Sequence, residues 1–208
     1  MKMKNLLQEL YDRIADSDFL EHVKCMNPSY SFRKIYRDDL TGYPNSRDLR
    51  RSIKKLSKKK QSVAIYTIDA TGLKFLNDNH GYKAGNELIS MALDTSEQVA
   101  SKYGGKTYRE YGDDFVVLIH GIDEVLAGTI PNEIEQLCKP YRCEHIPMNF
   151  PLRLHIGHAF SSDGKNLFEL LDISREETNK KRKEFYETHP ALDGRNRNKH
   201  TSVLVKSQ

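Results

Sequence analysis

No stretch of this 208-residue chain approaches the run of about 18 apolar residues that a membrane-spanning helix needs. Its opening, MKMKNLLQEL, places amide and acid residues directly after a short apolar pair, which does not suit the apolar core of a signal peptide. A cytoplasmic location without a membrane partner is therefore expected. Cysteine is scarce: residues 25, 138 and 143 are an odd set without framework spacing, which argues against a disulfide scaffold and for a reducing compartment. Cys138, Cys143 and His145 could begin a metal cluster, but a fourth ligand is missing and structural cysteines are the better reading. Charge of one sign is also in short supply, with 33 Lys and Arg against 29 Asp and Glu and a net charge of +4. That mild excess favours a phosphate-bearing ligand and lacks the strong bias of a protein that grips extended nucleic acid. The densest basic run, KKRK at 180–183, suits either a solvated helix surface or phosphate contact. Neither an internal repeat nor a low-complexity tract interrupts the chain.

What is present is enough apolar sequence, 38%, to build a core beneath a surface that carries most of the 30% charged residues. The length suits one domain with a terminal extension. Residues 3–14 space Leu6, Leu7, Leu10, Tyr11 and Ile14 as a short amphipathic helix, and residues 1–35 are read as an N-terminal helical extension to a domain spanning 36–208. Thr, Gly and Pro in DDLTGYPN (38–45) specify a turn before a helix at 46–57. SVAIYTI (62–68) is a continuous β-branched strand of the kind buried on both faces, and a polar loop ending near Asp78 is expected after it. A helix over 85–102 follows, stopped by Gly104 and Gly105. KTYRE and FVVLIH then flank YGDD as a β-hairpin. A helix at 122–137, a strand at 152–159, a helix at 167–186 and a last strand at 202–205 complete one sheet with helices packed on it.

Chemistry concentrates at the end of the first strand. Asp69 stands where a side chain can leave the sheet for a cleft, and Asp113 and Asp114 sit in the hairpin turn. Singly, each is explained as a strand-end or turn residue. If the hairpin pairs beside the first strand, the carboxylates converge into a site that needs a cation, and an all-oxygen set favours Mg2+ or Mn2+ over zinc. Lys74, Asn77, Asp78, Gly81, Gly85 and Asn86 crowd the segment after Asp69. Lysine can contact terminal phosphates, glycine permits close backbone approach, and two amides can address a base edge, so the combination reads as a nucleoside triphosphate site.

IDATGLKFLNDNHGYKAGNEL (68–88) followed by REYGDDF (109–115) resembles the GGDEF family of diguanylate cyclases. DDLTGYPN (38–45) resembles that family's opening turn, and GRNRN (194–198) its closing turn, so the likeness covers roughly residues 36–206. It implies a palm-like α/β domain with a central, mainly antiparallel sheet flanked by helices. The implied activity joins two GTP molecules into cyclic di-GMP with release of pyrophosphate, requires Mg2+ (or Mn2+), and brings two domains face to face as a homodimer at least during catalysis. By motif position Asp69 and Asp113 would hold metal with the carbonyl of Ala70. Asp114 would support a metal or the attacking hydroxyl, and Lys74 would bind phosphate. Asn77 and Asn86 would meet the base, and Arg109 would be tied to Asp78 or phosphate. Arg195 fits a phosphate-binding arginine of the closing turn. The matching lysine of the last helix is open between Arg182 and Lys183, because the extra residues EFYETHPAL separate helix from turn.

The chain departs from its family's pattern in four places. YGDDF replaces GGDEF, so Tyr111 occupies a glycine position and could obstruct the nucleotide, stack on a base or point away. Thr71 stands for the second acid of a DxD pattern. Asn86 replaces an aspartate that accepts from guanine, and its one acceptor and one donor match adenine instead. Lys102 and Gly105 replace the Arg and Asp of the family's inhibitory product site, so no product inhibition through that site is expected. Two alternative functions follow: a cyclic dinucleotide or oligonucleotide synthetase using ATP alone or with GTP, and a catalytically degenerate domain that binds a nucleotide or a protein partner.

Overall fold

The computed structural model describes residues 35–138, 143–148, 150 and 153–193. The N-terminal helix, Cys25, Arg195 with its GRNRN turn and the strand at 202–205 lie outside the described residues. In chain order the elements are α1 (Ser46–Leu56), β1 (Val63–Ala70), α2 (Leu73–Lys102), β2 (Lys106–Tyr111), β3 (Asp114–His120), α3 (Glu124–Cys138), β4 (Leu154–Ser161), α4 (Leu167–Thr188) and a 3-10 turn at Pro190–Leu192. The four strands pair in the order β2-β3-β1-β4, every neighbour antiparallel. This is the α/β architecture expected from the sequence, a central antiparallel sheet flanked by helices.

All eight residues of β1 are buried, because helices cover both faces of the sheet. Successive strand residues point to opposite faces. Val63 and Ile65 pack with Leu49 and Ile53 of α1 and Leu167 and Leu171 of α4. Ala64, Tyr66, Ile68 and Ala70 pack with Leu88, Met91 and Ala92 of α2 and Ile130 and Ile134 of α3. The Tyr66 hydroxyl, inside this second layer, donates to the Ala127 carbonyl at 2.9 Å.

The turn before α1 closes as its Thr, Gly and Pro composition requires. Asp38 Oδ1 accepts from the backbone and side chain of Thr41, and the Asn45 side chain caps α1 by accepting from Arg47 N and Asp48 N.

One expectation is corrected. The segment after Asp69 is helix rather than loop, since α2 begins at Leu73 and contains a kink at Gly81, whose φ of 79° is not helical. Lys74, Asn77 and Asp78 therefore lie on a first short helical stretch, and Gly85 and Asn86 on the second. Polar residues dominate here because much of this stretch faces solvent.

Candidate active site

Hydrogen-bond register brings the acids together. Asp69 pairs with Asp114 of β3 on one side and with His155 of β4 on the other, so these three residues share a sheet face. Gly112 and Asp113 form the two-residue turn between β2 and β3. Ala70, the last residue of β1, donates its N–H to the Asp113 carbonyl at 3.3 Å and thereby draws the turn to the end of the strand. Carboxylate oxygens of Asp69, Asp113 and Asp114 all lie within 4.8 Å of one another.

Burial makes this proximity costly. The Asp69 side chain is 3% exposed, and burial followed by the charge of Asp113 pushes its carboxyl up to about 6. Burial also raises Asp113. Asp69 Oδ2 accepts from Arg182 Nη1 of α4 at 2.9 Å, while Asp69 Oδ1 is buried without a hydrogen-bond partner. A lone pair of that kind, flanked by two further carboxylates, fits a hard divalent cation. Ala70 sits beside them at the strand end.

Arg182 is aimed at Asp69 by a buried polar seam. Thr178 Oγ1 lies 2.6 Å from Thr67 Oγ1 and accepts from Gly157 N at 2.9 Å, and Ser174 Oγ receives Thr67 N–H at 3.0 Å. A side chain at Gly157 would run into the backbone of Ser174 and Thr178, so glycine there lets α4 lie directly on the sheet. Thr67 to Asp69 is one two-residue step along β1, and Thr178 to Arg182 is one turn of helix, so the two pairs face each other. Of the two basic donors left open by the sequence, Arg182 is the one at the acids; Lys183 is exposed and lines neither neighbouring cavity.

A cavity of about 190 Å3 opens against the triad, lined by Asp69, Asp113, Arg182, Lys74, Gly72 and Tyr186. A second, of about 130 Å3, reaches Asp114 and shares Arg182 as a wall. Lys74 Nζ is 2.6 Å from Asp78, one helical turn away, and the Tyr186 hydroxyl accepts from Gly72 N at 3.2 Å. Asn77 is packed against Gly85, where any Cβ would collide with its Oδ1; Asn86 is exposed on the next position of α2.

The structure corrects the expected partner of Arg109. Its Nη1 bonds Asp38 at 2.7 Å, and its Nε and Nη2 hold the Gly112 carbonyl at 3.1 and 2.9 Å. Asp78 is paired with Lys74 instead. Arg109 therefore clamps the hairpin tip to the opening turn, immediately before Asp113, and its side chain is only 9% exposed. Tyr111 pairs with Asp114 across the hairpin but is 83% exposed and lines neither cavity. Lys102 is paired with Glu133 at 2.7 Å. His145 is taken by Glu87, which accepts from its backbone N–H at 2.8 Å and contacts its ring Nδ1, while Cys138 and Cys143 are free thiols.

Two site residues escaped the sequence reading. His155 is buried beside Asp69 and bonded through Nε2 to Thr71 Oγ1 at 2.9 Å. Burial, followed by the charges of Arg153, Arg182 and Lys181, pulls its pKa down to about 4, so the ring is neutral at pH 7. Thr71 thus has a neutral partner at the position where the family pattern places an acid. Tyr186 comes from the extra EFYETHPAL residues after the last basic run, and only their length hinted that something new stood there.

A sequence model described as diguanylate cyclase, GGDEF domain, matches residues 35–185. The chain belongs to the GGDEF family. Uncharacterised membrane proteins of Staphylococcus aureus, including those of strains USA300 and NCTC 8325, are 32% identical to it over 88 residues, covering 40% of this chain and 24% of theirs. The chain thus spans about a quarter of the length of the curated relatives it matches. Among the described residues, no helix is long and apolar enough to cross a membrane. Solved structures share the fold. The GGDEF domain of DgcB from Caulobacter crescentus, in complex with c-di-GMP, superposes with a TM-score of 0.66 at 15% identity, over 74% of this chain and 94% of that one. Diguanylate cyclase SiaD from Pseudomonas aeruginosa, in complex with its activator SiaC, gives 0.64 at 18% identity over 88% and 70%. The FimX GGDEF domain, also from Pseudomonas aeruginosa, gives 0.62 at 16% over 72% and 94%.

Proposed function

We propose that this chain is a nucleotidyl cyclase that joins two GTP molecules into cyclic di-GMP and releases two pyrophosphates. The observation that carries the reading is the meeting of three carboxylates within 4.8 Å, one of them with a buried unpartnered oxygen, beside a cavity with Lys74 and Arg182 on its wall. Asp69, Asp113 and the Ala70 carbonyl, with Asp114, would hold Mg2+ or Mn2+. When bound, such an ion activates an attacking hydroxyl and offsets charge on a leaving pyrophosphate. Lys74 and Arg182 bind the phosphate chain, helped by Arg195. Asn77 and Asn86 read the base, and the Arg109 clamp keeps Asp113 in place.

Each ring closure forms two 3'-oxygen to α-phosphorus bonds and breaks two bonds to pyrophosphate. One domain presents one nucleotide, so two copies must face each other for the reaction. Residues 1–35, as an extension ahead of the domain, are a reasonable element to bring them together.

A second reading concerns the base. Asn86 supplies one donor and one acceptor, which complements the N6 and N1 edge of adenine better than guanine, so ATP is a competing substrate. Mass spectrometry of products formed from all four nucleoside triphosphates with Mg2+ or Mn2+, beside a D69A/D113A control, tests both. A guanine-only product excludes the adenine reading, and nucleotide binding without any product supports a degenerate receptor domain instead.

A further inference from the structure

We infer that Arg182 is an exchangeable counter-ion, held by the acidic triad at rest and passed to the phosphate chain when a divalent cation arrives, so that cation and triphosphate bind as a coupled pair. The inference rests on the nucleotide-and-metal reading above and concerns the order in which that site fills.

The geometry makes the two partners unequal. Asp69 is 3% exposed on the end of a fully buried strand and has nowhere to go, whereas the Arg182 side chain is 31% exposed on a long flexible stem. Its helix is fixed one turn earlier by the Thr178 seam, so the guanidinium can leave without moving α4. Arg182 also borders both cavities, and Lys74 lines the one that holds Asp69 and Asp113.

At rest the groups that would greet an anion are already engaged: Arg182 with Asp69 and Asn179, Lys74 with Asp78, and the Gly72 N–H with Tyr186. A triphosphate entering alone must break these contacts while facing three carboxylates. A cation entering alone must displace a guanidinium from a charge-assisted hydrogen bond. Entering together, the cation neutralises the acids and the released guanidinium meets phosphate, so every charge keeps a partner. Linkage then requires that each ligand tighten the other by the same factor.

Mn2+ binding to the full chain, followed by electron paramagnetic resonance with and without inorganic tripolyphosphate, tests this without depending on base identity or turnover. Solution chelation is measured separately and subtracted. Wild type should bind Mn2+ weakly alone and at least about tenfold more tightly with tripolyphosphate. Arg182→Gln should bind Mn2+ alone about tenfold more tightly than wild type and lose most of the enhancement, while Arg182→Lys keeps it in part. Equal or weaker Mn2+ binding by Arg182→Gln alone, with wild type still binding when both ligands are present, overturns the exchange but leaves the metal reading intact. Wild type that binds no Mn2+ under either condition overturns both. Should Arg182→Gln fail to fold, the wild type decides: equal Mn2+ affinity with and without tripolyphosphate overturns the exchange.

Discussion

The hydroxyls of Thr67 and Thr178 lie 2.6 Å apart in the interior, one strand step before Asp69 and one helical turn before Arg182. Thr178 also bonds Gly157 N and the Thr67 carbonyl. Thr178→Val keeps the shape and removes all of these bonds, leaving buried backbone groups unpaired. A loss of about 1–3 kcal/mol in denaturant unfolding is expected, with weaker triphosphate binding because Arg182 loses its footing. Thr178→Ser should retain most of both.

Asp69→Asn should separate stability from function. Burial pushes the folded carboxyl up to about 6, against an ordinary aspartate value of 3.8, so between these values the folded state holds a proton that the unfolded state releases. Wild-type stability without metal therefore falls as pH rises from about 4 to 6 and stays lowered above that. The Asn variant should lack this fall and melt no lower than wild type at pH 7 in EDTA, while nucleotide turnover drops by at least about 100-fold.

His155 supplies the opposite dependence. Unfolded, it takes a proton near the ordinary histidine value of 6.5; folded, only near 4. Between those values the unfolded state binds more protons, so this group's contribution is lost as pH falls from about 6.5 to 4, a difference of about 3 kcal/mol. Relative to wild type, His155→Gln should gain stability on acidification through that window. Thr71→Asp, placing a carboxylate within reach of Nε2, should raise the ring's titration midpoint by NMR.

Gly85→Ala tests the approach of Asn77 to the helix. The added methyl collides with Asn77 Oδ1 and Leu73, so a destabilisation of about 1–3 kcal/mol is expected. Affinity for a fluorescent triphosphate should fall, with Mn2+ affinity at the triad unchanged, because the carboxylates stand on different elements.

Several elements were legible because their signals are local. The β-branched run of β1, the Gly112–Asp113 turn between two apolar strands and the turn at 38–45 announce themselves within a few residues. The order of motifs carried the acidic triad too, since a hairpin beside β1 can bring residues 113 and 114 to residue 69 in only a few registers. The stretch after Asp69 was harder: polar residues and glycines imitate a loop when a helix is kinked and largely solvated, as α2 is around Gly81.

By itself, then, the sequence determined that a strand-end aspartate and an acidic hairpin exist in a chain able to form one helix-flanked sheet, because strand and turn preferences are set by neighbouring residues. The tertiary structure alone decided that Arg182 rather than Lys183 meets Asp69 across a separation of 113 positions, that Arg109 belongs to Asp38, and that a neutral His155 stands beside the triad. Those outcomes depend on strand register and on the rotation of α4 about its axis, and both are fixed by packing and by the Thr67, Ser174 and Thr178 hydrogen bonds between distant segments.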